Sequence, residues 1–180
     1  MLATVKSSIM QSIVDFPMEI IFNILKDVPY DDLKFVFGLN KHLRCICQCN
    51  DFWKLKTEND FEDVVLEDKW IDWKKIYEQR YKEAQFELVK GIEDGDIEDV
   101  KYLLRIGINP NFKLDLFGTP LIIALERGQE NMIRLLLNER ADLNLQDNQG
   151  HTAYTYAIKR HEADIARLIL EDIQKNYITL

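Results

Sequence analysis

The stretch Val100-Lys-Tyr-Leu-Leu-Arg-Ile-Gly-Ile-Asn-Pro-Asn111 returns as Ile133-Arg-Leu-Leu-Leu-Asn-Glu-Arg-Ala-Asp-Leu-Asn144. Leu103 falls on Leu136, Leu104 on Leu137 and Asn111 on Asn144, a period of about 33 residues. The same spacing links Gly91, Ala124 and Ala157, then Gly95 and Gly128 with His161 in the third place, and Thr119 with Thr152. Each period reads as a short helix, a tight turn, a second helix and an extended loop. Small residues on the first helix let the second lie close against it, and the Leu pairs of the second face the neighbouring unit. No unit of this size buries its apolar face alone, so the units must stack. The spacing predicts three units, 84–114, 115–146 and 147–175.

The front half has no such period. An apolar helix is expected from Pro17, a residue suited to a first helical turn. Ile20, Ile21, Ile24, Leu25 and Val28 then form one broad face before Pro29 breaks the chain. Asp31 or Asp32 can cap a second helix carrying Leu33, Val36 and Phe37, closed by Gly38. Asn40 can cap a third with Leu43, Ile46 and Cys47. Residues 57–83 form a helical connector rich in Trp and Tyr; Trp70, Trp73 and Tyr77 are spaced along one helical face, able to anchor the front half. The overall expectation is an all-α chain: a three-helix unit over 10–56, the connector, and a short solenoid over 84–175.

Composition narrows the function. The 180 residues carry a formal net charge of -8, which disfavours a phosphate-backbone partner and so nucleic acid. The acidic run Glu58 to Asp68 reads as a solvated connector. No uncharged apolar run is long enough for a membrane span, and the early residues make a poor secretory signal, so the expected location is the cytosol or nucleus. The last residues offer no Cys for prenylation. Cys45 and Cys49 would share a helical face while Cys47 points away, and His42, His151 and His161 are scattered, so no metal is expected. There is no glycine-rich phosphate loop, nucleophile elbow or paired zinc-ligand motif, and hence no expected enzyme activity, cofactor or small-molecule substrate.

Two resemblances add to this. Phe16, Pro17, Glu19, Ile20, Leu25, Asp32 and Leu33, followed by Val36, Leu39, Asn40-Lys-His-Leu-Arg44 and Phe52-Trp53-Lys54, resemble an F-box, with Phe16 where Leu is more usual. The resemblance implies docking on the Skp adaptor of a cullin-type ubiquitin ligase. By position the contact candidates are Pro17, Ile20, Ile21, Leu25, Leu33, Val36, Leu43 and Trp53; the alternative is that several of them fill the three-helix core. The back half resembles ankyrin repeats. The family's Asp-x-x-Gly-x-Thr-Pro-Leu turn stands as Asp115-Leu-Phe-Gly-Thr-Pro-Leu121, one residue short, and as Asp147-Asn-Gln-Gly-His-Thr-Ala-Tyr154. Its Leu-Leu-x-x-Gly-Ala-Asp-x-Asn stands as Leu136-Leu-Asn-Glu-Arg-Ala-Asp-Leu-Asn144, with Arg140 for Gly.

Ankyrin folds bind proteins through loop tips and first helices. The resemblance therefore points to Phe112, Lys113, Leu114 and Phe117 on an unusually apolar loop, with Ile123, Arg127, Tyr156 and Lys159 beside them, as target-binding residues; the alternative is that Phe112 and Leu116 fold back against the connector around Trp70 and Trp73. Leu136, Asp142, Leu143 and Asn144 also match the spacing that asparaginyl hydroxylases prefer in such domains; the alternative is that Asn144 bonds only within its own loop. Together the halves resemble short F-box/ankyrin effectors of intracellular bacteria or large DNA viruses, which would act in the host cytosol. The function implied is a substrate receptor of a Skp–cullin–F-box ligase. The competing function is a non-catalytic binder or decoy that sequesters the Skp adaptor or a target.

Overall fold

Two prolines bracket the first helix. Pro17, at φ -54° and ψ 149°, is extended, and its carbonyl accepts from the Ile20 and Ile21 N–H groups to start α1, Met18–Leu25. The computed structural model describes residues 16–39, 41–62, 64, 71–114, 118–159, 166–167 and 169–170. Helices α2 (Tyr30–Leu39), α3 (Lys41–Ile46), α4 (Asn50–Asp60), α5 (Trp73–Asp94), α6 (Ile97–Arg105), α7 (Pro120–Arg127), α8 (Glu130–Asn138) and α9 (Ala153–Lys159) follow. No strand occurs among the described residues; an isolated bridge joins Leu114 and Gly118. Among the described residues the regular structure is helical, as the periodicity predicts.

Several local expectations shift by a turn. α2 begins earlier than an Asp cap requires: the Pro29 carbonyl accepts from Leu33 N–H, and Asp31 and Asp32 lie in the first turn, where their charge suits the helix dipole. Gly38 lies inside α2, and Asn40 lies outside the described residues. α3 ends at Ile46, and Cys49 precedes α4, so Cys45 and Cys49 do not share one helix face. The expected boundary at 56 falls within α4, which runs to Asp60. Trp70 lies outside the described residues.

The helices divide into two compact units. The first comprises Met1–Glu83 with Ile106–Ile108. Its core is closed by Leu25, Leu33, Leu43, Ile46 and Phe52, each contributing roughly 1.5–3 kcal/mol by burial. An aromatic cluster surrounds them: Trp53 lies 5.4 Å from Tyr77 and 6.0 Å from Tyr30, and Tyr30 lies 4.8 Å from Tyr81. The Trp53 indole donates to the Cys47 carbonyl at 2.9 Å, which seats its polar edge.

Beneath this cluster lies a buried polar trio. Lys56 Nζ donates to Asp60 Oδ2 at 2.7 Å and to the Lys26 carbonyl at 2.8 Å, and Tyr77 Oη donates to the same Asp60 oxygen at 2.7 Å. Burial pushes the Lys56 ammonium down from its usual range while Asp60 opposes the shift. Burial also pushes the Tyr77 phenol far up, and Asp60 adds to that.

The second unit comprises Ala84–Arg105 and Asn109–Leu180. It is a stack of helix pairs. A Cβ added at Gly91 would stand 2.9 Å from Val100 Cγ2, so the first pair, the end of α5 against α6, approaches as closely as a glycine permits. Thr119 caps α7, accepting from Ile122 N–H at 3.4 Å with Pro120 in the first turn; left-handed Gly128 (φ 65°) ends it. α7 packs on both α8 and α9, and α6 packs on α8. Ile122, Ala124, Ile133 and Leu136 form the sealed centre.

Candidate functional site

The front unit leaves several large apolar side chains exposed. Phe16, Met18, Ile20 and Ile24 on or before α1, and Phe35 on α2, are exposed although apolar. Of the residues expected to meet a Skp adaptor, Pro17 and Ile20 lie on the surface. Ile21, Leu25, Leu33, Val36, Leu43 and Trp53 point inward and are buried. The helical period explains the division: Ile20 and Ile24 are four residues apart on one face, Ile21 and Leu25 on the face turned to the core.

The repeat unit carries its polar chemistry at the loops. Leu114 and Gly118 exchange backbone bonds, Leu114 N–H to Gly118 O at 2.8 Å and Gly118 N–H to Leu114 O at 3.2 Å. Gly118 takes φ +79°, and an added Cβ there would meet Asp147 Cβ at 3.1 Å, so the turn needs glycine twice over. Phe112 and Leu114 are half-buried and Lys113 is exposed; Leu116 and Phe117 lie outside the described residues. Ile123 is buried in the stack. Arg127 is exposed and reaches back to the preceding repeat, donating to Glu93 Oε1 at 2.7 Å.

Tyr156 meets Asp147 directly, and Lys159 meets His151, which in turn faces Asp147. Tyr156 Oη donates to Asp147 Oδ2 at 2.7 Å, and the backbone N–H groups of Gln149 and His151 each donate to Asp147 Oδ1 at 2.8 Å. His151 Nδ1 lies 3.3 Å from Asp147 Oδ2, and its Nε2 lies 2.9 Å from Lys159 Nζ. An ammonium only donates, so Nε2 accepts and the ring proton sits on Nδ1, facing the carboxylate. Burial pushes the Asp147 carboxyl up, but the bonds from Tyr156, His151 and Gln149 outweigh it and hold the group at about 2. Burial raises the Tyr156 phenol well above its usual range, and the bond to Asp147 adds to the rise.

Sequence reading missed a second cluster. Asn111 Nδ2 donates to the Arg140 carbonyl at 3.1 Å, and Asp142 N–H donates to Asn111 Oδ1 at 2.7 Å. One side-chain amide therefore ties the loop of one repeat to the loop of the next. The signal was present in the Asn111/Asn144 match, which reads equally as a local turn. Asn144 itself stays in its own loop: its N–H and Nδ2 both donate to Asp142 Oδ1, at 2.9 and 3.2 Å. Arg140 adopts φ 63° where its counterpart Gly107 has φ 95°. Among the described residues no group of three His, Cys, Asp or Glu side chains is placed to hold a metal, and no helix is long and apolar enough to cross a membrane.

Helix pairs stacked at this period, with a glycine or threonine at each turn, identify the repeat type, and the model of ankyrin repeats in three copies matches residues 88–179. The chain belongs to the ankyrin-repeat family. The human transient receptor potential cation channel subfamily A member 1 is 32% identical over 81 residues, covering 44% of this chain and 7% of that protein. The E3 ubiquitin-protein ligase KEG of Arabidopsis thaliana is 35% identical over 78 residues, covering 43% of this chain and 4% of its own. An ankyrin repeat protein of fowlpox virus is 30% identical over 92 residues, covering 49% of this chain and 14% of its own. The chain thus spans well under two thirds of each relative. Ankyrin repeats are interaction modules, typically non-enzymatic, and their functional surface is one for a protein partner.

Proposed function

We propose that the chain is the substrate-recognition adaptor of a Skp–cullin–F-box ubiquitin ligase, with the front unit as the F-box and the ankyrin repeats holding a target protein. The observation that carries the reading is the exposure of Ile20 and Ile24, four residues apart on one face of α1, with Phe16, Met18 and Phe35 of the same unit also exposed, while the core is already closed. Exposed apolar side chains of this number on so small a unit are what a protein interface leaves uncovered. The likeness of part of the chain to an E3 ubiquitin-protein ligase is in keeping with this. Residues 10–56 then form the Skp-binding part, 57–83 the connector and 84–175 the target-binding part.

Within the adaptor surface, Pro17 and Ile20 make direct contact, while Ile21, Leu25, Leu33, Val36, Leu43 and Trp53 support the face from beneath. On the repeats, Phe112, Lys113, Leu114, Phe117, Arg127, Tyr156 and Lys159 serve the target, with Ile123 as their support. The chain performs no chemistry; it raises the effective concentration of a target lysine near the ligase.

The test is co-purification with a eukaryotic Skp adaptor. Wild type should give a stoichiometric complex, and Ile20→Glu/Phe35→Glu should lose it while keeping its thermal unfolding, because both side chains are exposed. Failure of the wild type to bind overturns the ligase reading and leaves a helical unit joined to an ankyrin binder.

A further inference from the structure

The first repeat carries an open groove between the end of α5 and α6. Gly91, Tyr102 and Leu103 form its apolar part, and its volume is about 400 Å³. It lies wholly within the second unit, and the chain that lines and flanks it, residues 71–114, is described throughout. One period later the positions of Gly91 and Leu103 are Ala124 and Leu136, both fully buried. The positions of Lys90 and Asp99 become Ile123 and Met132, 3% and 1% exposed. In the first repeat Lys90 and Asp99 are exposed, and Tyr102 is 48% exposed. The groove therefore occupies a register that is solid core in the next repeat. Its floor stays clear because a Cβ at Gly91 would stand 2.9 Å from Val100 Cγ2, which keeps that position a glycine.

Charge around the groove is one-sided. The carboxylates of Glu87, Asp94, Asp96 and Asp99 share the rim with one ammonium, that of Lys90. Neighbouring acids outside the groove are balanced: Glu93 is held by Arg127 at 2.7 Å and Glu98 by Lys101 at 3.9 Å. Asp96 is engaged as the cap of α6, its Oδ1 accepting from the Glu98 and Asp99 N–H groups at 3.1 Å each. Asp94 and Asp99 differ: among the described residues neither carboxylate has an ion pair or a hydrogen-bond donor. Solubility of a first repeat asks only for a polar outer surface, which charges of both signs supply. A concave surface of one sign with a half-exposed tyrosine in it suits a cation on an apolar stem.

We infer that this groove is a docking site for an arginine-bearing segment of a protein partner. Arginine matches each part of it. The methylene stem covers Gly91 and Leu103, while the planar guanidinium stacks on the Tyr102 ring and forks to a carboxylate of the rim. Lysine fits less well, because its ammonium is a compact, strongly hydrated charge that neither forks nor stacks. A bare divalent cation would leave the apolar floor unused. The site is separate from the Phe112 loop and from the Asp147 hub, and it does not rest on the ligase reading.

The probe is a hexa-arginine peptide amide, titrated into the full chain at about 0.15 M salt, where exposed charges more than about 8 Å apart are largely screened. Hexa-lysine of the same length is run beside it. Expected are saturable binding, NMR amide shifts confined to residues 87–103, and hexa-arginine about fivefold tighter than hexa-lysine. Asp94→Asn/Asp99→Asn should weaken hexa-arginine about tenfold, and Tyr102→Leu should erase the preference over hexa-lysine. All three side chains are exposed, so thermal unfolding of these variants should stay as in wild type. Glu130→Gln/Glu139→Gln removes the same charge from exposed positions on and just after α8 and should leave binding within about twofold. Equal weakening by that control pair overturns the inference, because the attraction then belongs to the acidic chain as a whole. Equal affinity for the two peptides, or no saturable binding, overturns it as well. So does displacement of hexa-arginine by calcium chloride with the same amide shifts, which makes the groove a metal site. Co-purification with the Skp adaptor depends on none of these residues, so the two readings fail separately.

Discussion

Arg140→Gly should stabilise the protein although it removes a side chain and adds nothing. Arg140 sits at φ 63°, in the left-handed region, where its counterpart in the preceding repeat is Gly107. Crowding between Cβ and the carbonyl makes that region cost a non-glycine residue about 1–2 kcal/mol. Glycine gives back about 0.5–1 kcal/mol through its freer unfolded chain. The difference leaves a net gain of about 0.5–1 kcal/mol, or a rise in Tm of roughly 1–4 °C for a chain of this size. The backbone bonds at the turn survive the change: Arg140 N–H to Leu137 O at 3.0 Å, and Asn111 Nδ2 to Arg140 O at 3.1 Å. Differential scanning calorimetry of wild type, Arg140→Gly and Arg140→Asn separates backbone from charge. Asparagine tolerates the left-handed region and should give part of the gain with the same loss of charge. A Tm for both variants at or below wild type would refute the reasoning, because it would mean that the turn holds no strain or that the Arg140 side chain itself stabilises the fold.

Three further outcomes follow from the geometry. Asn111→Ala removes both bonds between successive repeat loops and should cost about 1–3 kcal/mol, with faster amide exchange at Asp142, read by hydrogen-exchange mass spectrometry. Lys56→Met leaves Asp60 buried with its cation gone and should cost about 3–5 kcal/mol in denaturant unfolding followed by Trp fluorescence; adding Asp60→Leu should recover part of the loss. Asp147 is held at about 2, below the roughly 3.9 of an unfolded aspartate, so its contribution to stability is complete above about pH 4 and lost as pH falls toward 2. Tyr156→Phe removes one of the bonds that lower it, and carboxyl NMR titration should show Asp147 moving up toward the unfolded value.

The repeats were legible because their signal is redundant. Leu103 and Leu136, Gly91 and Ala124, Thr119 and Thr152 each mark a different structural need at one period, and a chance match of all of them is improbable. The front unit was legible in its helices but less so in its surfaces. A run such as Ile20, Ile21, Ile24, Leu25 is apolar on two faces, and only packing decides that Ile21 and Leu25 turn inward while Ile20 and Ile24 stay out. The same limit applies to Ile123, which lies in a wholly apolar stretch of α7 and proves to be core. Polar networks were the least visible. Lys56, Asp60 and Tyr77 are ordinary surface types by composition, and their meeting depends on α4 and α5 lying side by side. The Asp147 hub was half visible: the turn motif named Asp147 and His151, but the bond from Tyr156 crosses from the loop to a helix, which no local pattern encodes.

The buried Lys56 amine has a practical consequence. With the residue 2% exposed and its nitrogen bonded to Asp60 and the Lys26 carbonyl, an amine-reactive reagent reaches it only when the front unit opens. The rate at which that one lysine is labelled, set against the rapid labelling of exposed Lys34 and Lys54, is then a clock for opening of the unit. A ligand that holds the unit closed would slow that clock in proportion to the stability it confers, so binding could be followed on unpurified protein by mass spectrometry of a single peptide.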